Sequence, residues 1–205
     1  MINRITDEIF IPPYLKRKME LLKPYQGGDW DKGDKSITIF KRIIKTALIS
    51  SQNDCCAYCG LPFGETGKTE IEHFAPKGGA RRPKHVQFMF EPENLYLSCN
   101  LCNSPLKKGN TDTIVVMDNI YNQCTFNIVH PRYDIPDQHY GWVESTKQVL
   151  IQSISIKGRA SIEMFKLDSP AHNEARARIL LYSRYKNLPP DQQLLIDKVM
   201  GYHHD

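Results

Sequence analysis

The sequence predicts an α+β fold in which a small zinc-stapled unit lies between helical flanks. Three observations predict it: two Cys-x-x-Cys pairs lie close together, short alternating segments accompany them, and apolar residues recur at helical spacing on both sides. The pairs are Cys56/Cys59 and Cys99/Cys102. We expect one domain, with a helical N-terminal flank over 1–54, a metal-stapled core over 55–110 and a β-rich, then helical extension over 111–205.

Two helices are predicted in the N-terminal flank. A short one covers Tyr14 to Leu22, after a proline pair that marks an irregular entry. A longer one covers residues 35–51, with Asp34 or Ser36 as its N-cap. Its apolar side chains fall on one face, which indicates a core helix; they are Ile37, Phe40, Ile44, Ala47 and Leu48.

Two strands and a helix are predicted in the metal-stapled core. Residues 69–74 alternate in polarity and suit a strand that ends at His73. Residues 94–98 suit a second strand that delivers Cys99, and a helix is expected to begin near Cys102. Between the strands, the segment KGGARRPKH is predicted to be a loop because it combines glycine, proline and basic residues.

The extension is predicted to be β-rich and then helical. The segments TIVVM, TFNIVH and GWVESTKQVLIQSISI suit strands, and the last contains a turn near Glu144 to Lys147. Ser169 and Pro170 are the expected cap and first residue of a helix over AHNEARARILLYSRYKN. A final helix is expected over Asp191 to Met200.

Composition narrows the class of protein. Hydrophobic residues make up 40% and charged residues 24% of the 205 residues, as in ordinary soluble proteins. No apolar run approaches the roughly 20 residues that cross a bilayer. The N-terminus carries acids and prolines and resembles neither a secretory signal nor a transit peptide, so we expect a cytoplasmic location.

The four paired cysteines suit a closed, tetrahedral, structural zinc site. In a reducing compartment metal binding is favoured over the alternatives, a disulfide or unrelated buried thiols. Cys55 and Cys124 have no partner at a comparable spacing, although Cys55 competes with Cys56 as a ligand. Zinc at this site would stabilise a loop-rich unit that has too little apolar core to fold alone.

Four polar residues near the thiols suit phosphodiester hydrolysis. His73 is the candidate general base, because an imidazole titrates near neutral pH and a strand end can aim it at a phosphate from a position open to solvent. Glu72 and Asn103 would bind an exchangeable Mg²⁺ or Mn²⁺, provided that the strand ends or twists at Glu72. Asn94 would hold the loop, or the imidazole through a backbone group. Taken singly, these residues also suit a surface acid, a structural histidine and turn residues.

The net charge of +4 is concentrated near these residues. Between residues 77 and 110, six basic side chains face only two acidic ones, Glu91 and Glu93. A solvated basic loop would explain the charge. Beside His73, however, the basic segment is better interpreted as a surface that binds the phosphate backbone of nucleic acid. The basic residues are Lys77, Arg81, Arg82, Lys84, Lys107 and Lys108.

Together the motifs resemble an HNH endonuclease of the ββα-metal, or His-Me finger, type. The likeness rests on Cys56-x-x-Cys59, Glu72-His73, Asn94-Leu95 and Cys99-x-x-Cys102-Asn103, with Lys107-Lys108 behind them. Within that family, IEHFAPK and ENLYLSCNLCN are most similar to the HNH proteins of the Septu antiphage system, the PtuB group, and of related retron-associated systems. HPRYDIPDQHYGW and the segment from Arg159 to Arg176 extend the likeness, which covers roughly residues 40–180.

The resemblance implies a ββα-metal core, an activity and a partner. It implies His73 as the general base, Glu72 and Asn103 as ligands of the catalytic divalent ion, Asn94 as the middle Asn of the motif, and zinc on the four cysteines. It also implies an ABC-type ATPase (PtuA) that binds the HNH subunit and regulates cleavage of nucleic acid, with DNA favoured over RNA. Two positions depart from the family pattern. Pro105 delays the helix after Asn103, and the third motif position is Asn rather than His.

Two other functions suit the same motifs. A zinc-knuckle adaptor would bind nucleic acid without cleaving it and use its C-terminal helices for docking. A stand-alone restriction-type HNH enzyme would cleave without an ATPase, usually with a sequence-reading domain that this sequence does not suggest. His130, Asp134 and His139 form a second polar cluster, either an ordered proline-rich loop or a support for the site. Tyr182 and Tyr185 are expected in core or partner contacts rather than in base stacking.

Overall fold

The computed structural model describes residues 2–103 and 108–201, which form a mixed α+β arrangement. No helix in these two ranges is both long and apolar enough to cross a membrane. The helices are α1 (Pro13–Glu20), α2 (Lys35–Ser51), α3 (Phe63–Thr66), α4 (Ile156–Phe165), α5 (Pro170–Lys186) and α6 (Pro190–Met200). The strands are β1 (Thr69–His73), β2 (Gly78–Gly79), β3 (Arg82–Pro83), β4 (Leu95–Cys99), β5 (Ile114–Val116), β6 (Thr125–Phe126), β7 (Tyr140–Trp142) and β8 (Ile151–Ser153).

Helix α2 confirms the predicted core helix with the predicted bounds. Asp34 is its N-cap, because the carboxylate accepts hydrogen bonds from the backbone N–H of Ser36 at 2.7 Å and of Ile37 at 3.1 Å. A cap of this kind stabilises a helix by about 1 kcal/mol. The apolar face is buried through Ile37, Phe40, Ile44 and Leu48. The shorter helix α1 begins at Pro13 and ends two residues before the predicted end.

Strands β1 and β4 form the antiparallel sheet that carries the candidate site, with His73 opposite Leu95. Both strands confirm the sequence prediction to within one residue at each end. Every residue of β4 is buried. Leu95 and Leu97 pack in the core formed with α1 and α2, whereas Tyr96 and Cys99 pack in a second core shared with the C-terminal extension. The sheet therefore lies between two cores, and its end is covered on both faces.

The edge of β4 away from β1 is met by the side chain of Gln52 and by the backbone N–H of Ala57, which donates to the carbonyl of Leu97 at 3.1 Å. Gln52, the residue after α2, accepts from the backbone N–H of Leu97 at 2.8 Å and donates to the carbonyl of Leu97 at 2.9 Å. Its amide N–H₂ also donates to the carbonyl of Cys55 at 2.8 Å. Because a primary amide carries the same donor and acceptor as a peptide group, Gln52 pairs with β4 as a neighbouring strand would.

The helix expected to begin near Cys102 is not confirmed in the described part of the chain. The described residues on either side, 100–103 and 108–110, form turns and not a helix. Residues 104–107, which include Pro105 and Lys107, lie outside the described part of the chain. The loop KGGARRPKH contains an unpredicted hairpin, in which β2 pairs with β3 and Gly79 lies opposite Arg82.

The extension confirms the predicted strands in part and the predicted helices, and of the strand expected over TFNIVH only Thr125–Phe126 is observed. β5 pairs with β6, and β7 pairs with β8 around the expected turn, where the N–H of Lys147 bonds the carbonyl of Glu144 at 3.1 Å. The strand predicted through Ile156 ends earlier, because Ser155 caps α4 by accepting from the N–H of Gly158 at 2.9 Å. Helices α5 and α6 lie where the cap and proline signals predict them.

The second polar cluster is an ordered loop that anchors α4. His130 is fully buried and stacks on Tyr133 with ring centroids 4.1 Å apart. Asp134 accepts from the N–H of His130 at 2.8 Å and pairs with Lys157 of α4, also at 2.8 Å, while His139 lies 3.8 Å from the same carboxylate. Burial lowers the pKa of His130 well below its usual value, so the ring is neutral.

Candidate metal centre and adjoining cavity

The two thiol pairs converge, as the spacing predicts. Their sulfur atoms lie within 4.8 Å of one another and all four side chains are buried; the residues are Cys56, Cys59, Cys99 and Cys102. All six cysteines of the chain are free thiols. Cys55 is not part of the cluster, and its backbone pairs with Pro62 instead. A buried set of four sulfurs at this separation suits tetrahedral zinc.

The protein surrounds this cluster with groups that suit a negatively charged zinc–thiolate centre. Burial raises the pKa of the Cys59 and Cys102 thiols well above the usual value, whereas hydrogen bonds from neighbouring thiols, that of Cys102 first, lower the pKa of Cys99, so a cation is needed to hold all four as thiolates. His172 of α5 lies with Nε2 3.6 Å from the sulfur of Cys102, and its Nδ1 is 3.0 Å from the hydroxyl of Ser169. Buried Arg176 lies on the next turn. Helix α5 is thus tied to the metal centre.

A cavity of about 500 Å³ opens beside the end of β1. Its wall brings together Glu72, His73 and Asn103, which the sequence places in one site. Because β1 ends at His73, adjacent residues that would alternate along a longer strand face the same space. The wall also contains residues that motif reasoning did not identify, among them Trp30, Asp31 and Glu70.

His73 is more enclosed than the sequence predicts. Its side chain is buried, the residue is only 5% exposed, and it meets the cavity rather than open solvent. The ring of Trp30, from the N-terminal flank, covers it with centroids 4.5 Å apart. Burial lowers the pKa of His73 to about 3, so the imidazole is neutral at pH 7.

One hydrogen bond fixes the tautomer of His73. Its Nε2 lies 3.0 Å from the carbonyl oxygen of Met89. A carbonyl only accepts, so Nε2 carries the proton and Nδ1 keeps a lone pair. This arrangement presents a base with one defined acceptor nitrogen.

Glu72 is engaged by a lysine. The Glu72 side chain is 14% exposed, and its Oε1 lies 2.5 Å from Nζ of Lys108, whose own side chain is fully buried. The same ammonium donates to the carbonyl of His73 at 2.7 Å. Burial raises the pKa of Glu72, and Lys108 opposes that shift. The pairing corrects one expectation: Lys108 lies inside the site and has no exposed ammonium to offer a phosphate of nucleic acid.

Asn94 holds the loop after β1, as the sequence predicts. It is fully buried. Its Oδ1 accepts from the N–H of Ala75 at 2.6 Å, and its Nδ2 donates to the carbonyls of Ala75 at 3.1 Å and Phe88 at 2.9 Å. Phe88 immediately precedes Met89, so Asn94 also holds the segment that accepts the His73 proton.

Asn103 lies across the cavity with a different partner from the one expected. Its Nδ2 donates to Oε2 of Glu70 at 3.0 Å, and its side-chain carbonyl oxygen is of the type that can bind a hard cation. Glu70 lies two residues before Glu72, on the same face of β1. That alternation was the signal in the sequence that could have added Glu70 to the site.

The basic side chains divide between the cavity and the surface. Lys77 lines the cavity and lies 3.2 Å from the carboxylate of Asp31. Arg81, Arg82 and Lys84 are exposed along the β2–β3 hairpin, and Lys84 donates to the carbonyl of Asn110. Lys107 is outside the described residues.

Two curated relatives are similar to this chain. The Septu protein PtuB of Bacillus thuringiensis is 27% identical over 129 residues, which are 62% of this chain and 42% of that protein. The Septu protein PtuB of Bacillus mycoides strain KBAB4 is 26% identical over 153 residues, 66% of this chain and 50% of that protein. These similarities support a Septu-related family. The chain spans about half the length of the curated relatives it matches, and no protein-family model matches it.

Proposed function

We propose that this Septu-related chain is a metal-dependent HNH-type endonuclease that hydrolyses phosphodiester bonds of nucleic acid, with DNA the favoured substrate. One observation carries the proposal. A neutral imidazole, His73, is fixed by Met89 so that Nδ1 is its acceptor, and it shares a cavity with Glu72 and Asn103. The chain would act as the nuclease subunit of a Septu-like antiphage complex with an ABC-type ATPase of the PtuA kind.

The residues divide the chemistry as follows. Nδ1 of His73 takes a proton from the attacking water, while the bond from Nε2 to Met89 keeps the ring oriented. Glu72 and Asn103 would hold Mg²⁺ or Mn²⁺, which when bound neutralises charge on the phosphate and the leaving oxygen. A phosphodiester beside the imidazole also favours its protonated form, which offsets part of the lowering of the His73 pKa by burial. The thiol-bound zinc would serve only as scaffold.

Substrate binding is assigned to the exposed part of the basic segment. Arg81, Arg82 and Lys84 are exposed on or next to the β2–β3 hairpin, which begins at Gly78, a residue of the cavity wall. Side chains of this kind bind the sugar-phosphate backbone and position a strand without reading its sequence.

Assembly with an ATPase draws support from the similarity to Septu PtuB proteins and from the C-terminal helices. Helix α6 buries none of its residues. Large apolar side chains of α5 and α6 are more than half exposed, including Leu181, Tyr182, Leu195 and Val199. Several large apolar side chains exposed on neighbouring helices are typical of a surface that binds another protein.

The zinc-knuckle adaptor is the alternative that a specific observation favours. Lys108 occupies one oxygen of Glu72, the expected cation ligand. If that pairing persists when nucleic acid binds, the site lacks a free carboxylate and the protein would bind without cleaving.

A His73→Ala variant separates the two functions. Incubated with plasmid and Mg²⁺ or Mn²⁺, with and without a co-purified ATPase, the wild type is expected to nick the DNA. The variant is expected to bind DNA equally and to cut about 10²–10⁴-fold more slowly, because it lacks the general base. His139→Ala, outside the cavity, is the matched control and should cut normally. Equal behaviour of wild type and His73→Ala would favour the adaptor.

A further inference from the structure

The backbone that follows β1 is held by three side chains rather than by another strand. Three consecutive carbonyls each accept one side-chain hydrogen bond. The bonds run from Lys108 Nζ to the carbonyl of His73 at 2.7 Å, from Thr113 Oγ1 to that of Phe74 at 2.7 Å, and from Asn94 Nδ2 to that of Ala75 at 3.1 Å. We name Asn94, Lys108 and Thr113 the carbonyl clamp.

All three donors of the carbonyl clamp lie in the interior. Asn94 and Thr113 have no exposed surface, and Lys108 is 1% exposed. Water cannot replace a partner at such depth, so each donor constrains the position of the carbonyl it meets. The constraint falls on His73 and on the two residues after it, which set the direction in which the imidazole leaves the backbone.

We propose that Lys108 and Thr113 are positioning residues that, together with Asn94, set the orientation of the His73 imidazole in the cavity. The proposal rests on the endonuclease function for its kinetic consequence, but its structural consequence is independent of cleavage. Neither residue touches the reacting atoms. Thr113 acts through the backbone of the segment that carries His73, whereas Lys108 acts through that backbone and also pairs with Glu72.

The geometry distinguishes this role from simple packing. The imidazole is held from its far side by the carbonyl of Met89, and the 88–89 segment is itself bonded to Asn94. The clamp therefore fixes both the backbone that carries the ring and the acceptor of its N–H proton. A shift of His73 that lengthened the 3.0 Å bond to Met89 to about 3.6 Å would break it and release the single tautomer.

Thr113 offers the sharper test because its hydroxyl can be removed without changing charge or volume. Thr113→Val deletes the donor, and Thr113→Ser keeps it. Thr38→Val is the matched control, since the exposed Thr38 hydroxyl also donates to a carbonyl, that of Asp34 at 3.0 Å, but lies away from the cavity. Each full-length, zinc-loaded variant is studied at a temperature at which far-UV circular dichroism shows it folded. Thr113→Ala replaces the valine variant if valine does not pack.

The first measurement is the ¹⁵N NMR spectrum of the histidine rings, with His73 assigned by difference from His73→Ala. The wild type is expected to show a single Nε2–H tautomer. Thr113→Val is expected to shift or broaden the His73 ring signals, whereas Thr113→Ser and Thr38→Val should leave them unchanged. This measurement remains decisive if the wild type does not cleave DNA, so failure of the positioning role and failure of the endonuclease function are distinguishable.

The second measurement is steady-state cleavage. Thr113→Val is expected to lower kcat about tenfold with KM within about twofold, because misplacement of a base affects the chemical step more than binding. Lys108→Met should lower kcat by about 10²-fold, and Lys198→Met, at an exposed lysine of α6, should have no effect. Ring signals in Thr113→Val identical to those of the wild type, or equal damage in the serine and valine variants, would overturn the proposal.

Discussion

Neutralising Glu72 alone is expected to leave a buried ammonium without its anionic partner. Lys108 has a fully buried side chain 2.5 Å from the Glu72 carboxylate, whose own side chain is only 14% exposed. Removing one partner of such a pair typically costs 3–5 kcal/mol. Glu72→Gln keeps an oxygen that can accept a hydrogen bond, and Lys108 keeps the carbonyl of His73, so we expect the lower end, about 3 kcal/mol. For a chain of this size that corresponds to a fall in Tm of roughly 6–12 °C.

The double variant is the sharper part of this prediction. Burial raises the pKa of Glu72 despite Lys108, so the attraction within the pair only partly offsets its desolvation. Replacing both groups, in Glu72→Gln/Lys108→Met, should therefore cost less than the sum of the two single variants, with a coupling free energy of at least about 2 kcal/mol, although the carbonyl of His73 still loses its donor. Urea unfolding without added Mg²⁺ measures it.

The exposed pair Glu144–Lys147 is the control for this cycle, because its side chains are 57% and 48% exposed. The corresponding cycle, Glu144→Gln/Lys147→Met, should show a coupling below about 0.5 kcal/mol. A Glu72→Gln variant as stable as the wild type, or a double variant that costs the sum of the single ones, would refute the reasoning.

Three further outcomes are expected. Purified protein should contain one zinc, and the Co²⁺-substituted protein should show thiolate-to-metal charge-transfer absorption. Cys99→Ser should lose both the metal and the folded state. Metal analysis that finds zinc in this variant, or circular dichroism that finds it folded, would contradict the zinc site. The free energy of unfolding should fall by up to about 1.4 kcal/mol per pH unit as pH drops below about 6.5, because the buried, neutral His130 takes up a proton only on unfolding. In His130→Gln, the slope of the unfolding free energy against pH, measured with urea, should be smaller. An unchanged slope would contradict this reasoning. Arg82→Ala should reduce the slope of log Kd for DNA against log salt by about 0.9, and a fluorescence-anisotropy titration that finds no change would remove Arg82 from the surface that binds the phosphate backbone.

The parts of the fold that sequence reasoning predicted are those with local determinants. Helix α2 has an apolar period and the cap Asp34 within its own segment, and β1 and β4 alternate and end at residues with clear chemistry. The thiol cluster follows from spacing alone. The strand expected through Ile156 was wrong because the capping hydroxyl of Ser155 favours a helix start over continued alternation.

The rest of the candidate site depends on contacts between distant parts of the chain. Trp30 comes from the N-terminal flank to cover His73, and no pattern around either residue indicates the contact. Lys108 belongs by charge to the basic segment, and only its depth in the fold shows that it pairs with Glu72, 36 residues away. Thr113 carries no motif, and its role is visible only from the carbonyl it meets.

The amide of Gln52 also affects whether a further strand can pair with β4 in the sheet of β1 and β4. An open edge invites a further strand, from the same chain or from another molecule, and proteins that leave such edges open tend to associate through them. Here the N–H and the carbonyl of Leu97 are already hydrogen-bonded, so an incoming strand would have to displace the side chain of Gln52, which follows the end of α2. Gln52, together with the backbone N–H of Ala57, thus protects β4 from intermolecular β-pairing at Leu97.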